Sequence, residues 1–83
     1  MAHSAHAAKK LTGYLITAAR ADLPQLAQQH LMIGEELLET EDAAAALTQR
    51  ALLNAIDAIG KIRFPREWEQ ARDNAGHDQS AAA

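Results

Sequence analysis

Four histidines, eleven carboxylates and no cysteine make up the reactive stock of this 83-residue chain, so histidine and carboxylate chemistry come first. His30 is the leading candidate, because at helical spacing it shares an otherwise apolar face with Leu23, Leu26, Ile33 and Leu37. A titratable ring in such a place must be paired, kept neutral, or exposed at a seam. It could be a metal ligand, the centre of a metal- or haem-binding helical bundle, a pH-sensitive contact, or a polar group that sets register between helices. The plainer alternative is a histidine whose polar edge reaches water or a carbonyl. His3 and His6 lie one helical turn apart and could share a metal, but a frayed, solvated helix start explains them as well. No Glu-x-x-His pattern of a carboxylate-bridged metal site is present, so no metal or cofactor is expected and His30 remains the single weak metal candidate.

Glu35, Glu36, Glu39, Glu41 and Asp42 fall within eight residues. On a solvated face such groups do not acquire the shifted pKa that acid–base catalysis needs. Ser4 and Ser80 sit near the ends, and no glycine-rich loop could cradle phosphate, so an enzyme is not expected. The cluster suits electrostatic contact with a basic partner, partial imitation of a nucleic-acid backbone, or an ordinary solvated tip. A further constellation, Lys61-Ile62-Arg63-Phe64-Pro65-Arg66-Glu67-Trp68, interleaves basic and aromatic groups. That composition serves interface hot spots or a nucleic-acid strand. Phe64 and Trp68 could equally form a lid on the core.

The elements that must position these groups are helical. Alanine supplies about a quarter of the residues and valine is absent, so helix propensity dominates and the class is all-α. Ser4 can cap a first helix over about 4–21, with Leu11, Leu15 and Ala18 inward. Asp22, Pro24 and Gln25 have the spacing of a capping box opening a second helix over 23–39. Thr40 is read as the N-cap of a third helix over about 42–63, with a turn rather than continuous helix at 39–42. Phe64-Pro65 ends that helix, and a short fourth helix over about 65–75 stops at Gly76. One domain over 1–76 and a disordered tail over 77–83 complete the expectation.

The third helix carries the strongest pattern. At about 100° per residue, Ala44, Ala45, Leu47, Ala51, Leu52, Leu53, Ala55, Ile56, Ile59 and Ile62 sweep an apolar arc of roughly 260°. Arg50, Asn54, Asp57 and Lys61 form a polar strip. A helix so apolar needs cover on several sides, more than a chain this short can supply, so a homodimer is expected. Leu26, His30, Ile33, Leu37, Leu52, Ile56 and Ile59 are the expected seam, either of the core or of that dimer.

Charge narrows the partners. The net charge of −3 resolves into +2 over residues 1–34, −5 over 35–49, +2 over 50–72 and −2 over 73–83. This distribution disfavours a general nucleic-acid binder, which leaves Lys9, Lys10, Arg20 and the 61–66 segment as a weaker nucleic-acid alternative. No stretch has the apolar core of a signal peptide or the length of a membrane span, so a cytoplasmic location and no membrane partner are expected. The leading functional expectation is a small acidic helical regulator or inhibitor of the anti-activator, antitoxin or mobile-element type. It would dock on and occlude a larger protein, with Glu35, Glu36, Glu39, Glu41, Asp42, Phe64 and Trp68 as contacts.

Overall fold

The computed structural model describes the backbone of residues 2–82 and the side chains of Lys9 and residues 11–76. Four helices follow one another: α1 (Ala2–Arg20), α2 (Leu23–Glu39), α3 (Ala43–Arg63) and α4 (Trp68–Ala82). Among the described residues there is no strand, and no helix is long and apolar enough to cross a membrane.

Local chemistry sets most of the boundaries. Asp22 Oδ1 accepts the Gln25 backbone N–H at 2.9 Å while Gln25 Oε1 accepts the Asp22 N–H at 3.0 Å. This reciprocal box satisfies two donors that the helix start would otherwise leave unpaired, and α2 begins where its spacing requires. Its far end is a turn, as expected, but Thr40 terminates α2 instead of opening α3. The Thr40 N–H reaches the Leu37 carbonyl at 3.2 Å, and its hydroxyl donates to the Glu36 carbonyl at 2.7 Å. With that hydroxyl committed backwards, Asp42 caps α3 by accepting the Ala45 N–H at 2.9 Å. Ser4, read as the first cap, lies inside α1.

The C-terminal helix also departs from expectation. Residues 65–67 form a turn, and the helix starts at Trp68, whose N–H donates to the Phe64 carbonyl at 3.0 Å. It passes through Gly76 to Ala82. A glycine ends a helix by entering the left-handed region, and no described glycine has a positive φ. Within a helix it costs only about 1 kcal/mol relative to alanine. The expected disordered tail therefore has helical backbone to Ala82, while the side chains of 77–82 and all of Ala83 lie outside the described residues.

Packing centres on the α2–α3 hairpin. Leu26 and Ile33 from α2 meet Leu52 and Ile56 from α3 in one cluster, which also takes in Ala18, Ala21, Ala27, Trp68 and Ala75. Gly34 faces Leu53 across the hairpin, where an added Cβ would lie 3.9 Å from the Leu53 side chain, so the spacing of the two helices would also admit alanine. α1 packs on α3 and α4 on α2. Of the residues expected at a seam, Leu26, Ile33, Leu52 and Ile56 lie in this core, and His30, Leu37 and Ile59 are half-buried.

The apolar arc of α3 is not closed by its own chain. Leu52, Ile56 and Gly60 are buried, but Ala44, Leu47, Ala51, Ala58 and Ile62 are exposed. Leu47 keeps 68% of its surface and Ile62 79%. Three other helices cover one half of this cylinder and leave the opposite half bare.

Candidate functional site

Among the described residues the most highly connected polar group is Asp57, on the face of α3 that meets α4. Its Oδ1 accepts the Trp68 indole N–H at 2.8 Å and an Arg72 guanidinium N–H at 2.6 Å, and its Oδ2 pairs with Lys61 at 3.0 Å. Partial burial pushes this carboxyl upward, but the hydrogen bonds from Trp68, Lys61 and Arg72, with the Lys61 charge, outweigh burial and hold it at about 2. The carboxylate is locked in its charged form. It acts as a clamp between α3 and α4, with no spare capacity for proton transfer.

Trp68 is 1% exposed, so of its two sequence readings, lid or partner anchor, the geometry takes the lid. Gly60 makes this possible: a Cβ there would overlap the six-membered ring of the indole. Neither Gly60 nor Arg72 carried any signal in the sequence, because both act through a residue distant along the chain. Asp57 was legible only as part of a polar strip.

His30 sits against the same ring, edge to face, with centroids 5.8 Å apart and planes at 89°. Burial and then the Arg72 charge lower its pKa, while Asp57 pulls the other way. A ring held neutral beside a guanidinium is a packing element, and a cation bound there would meet Arg72 repulsion. Among the described residues, no three His, Cys, Asp or Glu side chains come together as a metal site. His3, His6 and His77 have side chains outside the described residues.

No family model matches this chain, and neither the curated proteins nor the solved structures contain a significant match.

The surface therefore has to speak for function. Glu35, Glu36, Glu39, Glu41 and Asp42 are all exposed around the α2–α3 turn, with Asp42 doubling as the α3 cap. In their midst Leu38 is 88% exposed. It is the most exposed large apolar side chain of the described set. The basic segment behaves differently. Lys61 is tied to Asp57, and Arg63 donates to the Ala18 carbonyl at 2.8 Å while lying 4.8 Å above the Phe64 ring. Arg63 thereby fastens α1 to α3, Lys61 pairs within α3, and both keep exposed surface, as does Arg66 beyond the helix end. An open groove between α1 and α2 is lined by residues that include Tyr14, Ile16, Met32, Ile33 and Glu36.

Proposed function

We propose that this chain is a protein-binding regulator that works as a homodimer, a small acidic helical body that docks on a larger protein and occludes part of it. The observation that carries the reading is Leu38, a bare leucine at the hairpin end with exposed Glu35, Glu36, Glu39 and Glu41 close to it in sequence. An apolar anchor inside a charged rim is the usual anatomy of a protein contact, with the rim steering approach and the anchor supplying buried area. Phe64, half-buried at the opposite end of α3, is a secondary contact in this reading, and Trp68 drops out because it is internal. The anti-activator, antitoxin and mobile-element inhibitor classes are commonly of this size and build, an analogy of architecture alone.

The test is affinity capture from the native cell with three baits in parallel: wild type, Leu38→Ser, and Glu36→Lys with Glu39→Lys. A partner retained by wild type and lost from both variants supports the reading. Identical captured sets from all three baits contradict it.

A further inference from the structure

We infer that the outer edge of α3 is the dimer seam, and that a second copy of this chain docks there antiparallel to the first. The inference rests on the dimer reading above and assigns it a surface and a direction. The edge is defined by Ala44, Leu47, Ala51, Ala55, Ala58 and Ile62, recurring every three or four residues along five turns. Ala55 is half-covered and the other five are exposed. The large residues stand toward the two ends, and the alanines between them let a second backbone approach closely. A helix of this length presents a line about 30 Å long. Doubled by a two-fold axis, and with the flanking polar side chains included, such a strip approaches the roughly 1,000 Å² that a specific interface needs.

Charge decides the occupant and its direction. Glu41 and Asp42 lie just before the N-terminal end of α3, next to Glu39 at the end of α2, whereas the C-terminal end carries Lys61 and, just beyond it, Arg66. A parallel pair would set acid beside acid and base beside base. An antiparallel pair centred near Leu53 sets each acidic end beside the partner's basic end. The same two-fold brings matching flanks of the helices together. The surface is complementary to its own reverse, which is what an isologous interface requires. The large residues interlock as well, because Leu47 falls opposite the partner's Ala58 and Ile62 opposite the partner's Ala44. Leu38, on α2, lies outside the seam and stays free on both copies.

The chain contains no cysteine, so single-cysteine variants test the geometry directly. Ala51→Cys lies close to the two-fold and should form a disulfide-linked dimer under mild oxidation. Ile62→Cys should not link to itself, because its two copies stand about 27 Å apart along the helices. A mixture of Ala44→Cys and Ile62→Cys should cross-link as a heterodimer. Leu47→Glu, placed twice per dimer, should weaken association by more than about a hundredfold while leaving the helical content intact. Self-linking of Ile62→Cys would overturn the antiparallel direction. A dimer by sedimentation that none of these cysteines traps would overturn the seam while leaving the dimer reading intact, whereas a wild-type monomer overturns both.

Discussion

The indole N–H of Trp68 donates to the Asp57 carboxylate across 2.8 Å, joining the first turn of α4 to the middle of α3. A hydrogen bond to a charged acceptor in a half-buried setting contributes about 1.5–3 kcal/mol. Trp68→Phe keeps most of the apolar ring and removes the donor. We expect Trp68→Phe and Asp57→Asn each to lower unfolding stability by at least about 1 kcal/mol, and the double variant to cost less than the two combined. Urea denaturation of the four proteins measures this, and strictly additive losses would show that the two side chains do not communicate.

Gly60 and Gly13 should respond oppositely to the same change. Gly60→Ala drives a methyl into the Trp68 ring, so we expect a loss of about 1–3 kcal/mol and a lower melting temperature. Gly13→Ala, in α1 with nothing within 4 Å of the new carbon, should gain up to about 1 kcal/mol from helix propensity. Thermal denaturation of both variants checks the pair, and a neutral Gly60→Ala would mean that the lid is looser than its packing implies.

Acid should unfasten α4 in two stages. The His30 pKa is lowered in the folded chain from an ordinary 6.5, by burial and then by Arg72, so the unfolded chain takes up the proton first. Its contribution is complete above pH 6.5 and declines as pH falls below that value. The Asp57 pKa falls from 3.8 to about 2, so its contribution of about 2 kcal/mol is complete above the unfolded value and vanishes as pH drops toward 2. Stability curves from pH 8 to pH 2 should therefore lose their upper step in His30→Gln and their lower step in Asp57→Asn. An upper step unchanged in His30→Gln would assign that titration elsewhere.

How far the sequence revealed this depended on the range of each interaction. The start of α2 was legible because Asp22, Pro24 and Gln25 act within four residues. Asp42 displaced Thr40 as the α3 cap because the Thr40 hydroxyl faces back to Glu36 and also lies 2.7 Å from Gln49 Oε1, a neighbour only after the hairpin closes. Periodicity located the apolar arc of α3 but could not say which part of it α1, α2 and Trp68 would cover. The Asp57–Trp68–Arg72 clamp left no local trace, since its members stand eleven and fifteen residues apart. Leu38 follows Leu37 at the end of α2, and its 88% exposure is set by what the other helices leave uncovered, which no local pattern records.

The acidic tip should govern the rate of encounter more than the lifetime of a complex. Glu36→Lys with Glu39→Lys removes two exposed carboxylates that cap nothing, and should slow association with a captured partner about tenfold or more at low salt. That difference should shrink as ionic strength rises toward 0.5 M. Stopped-flow mixing across a salt series reads it directly, and an association rate indifferent to both charge and salt would remove the steering role.

Sedimentation equilibrium of the wild-type chain across the micromolar range tests the central claim, that the bare side of α3 is a surface made to be covered. The account predicts a species of twice the 9.0 kDa chain mass that Leu47→Glu returns to 9.0 kDa with its helicity unchanged. A wild-type chain that stays at 9.0 kDa at every concentration would contradict it.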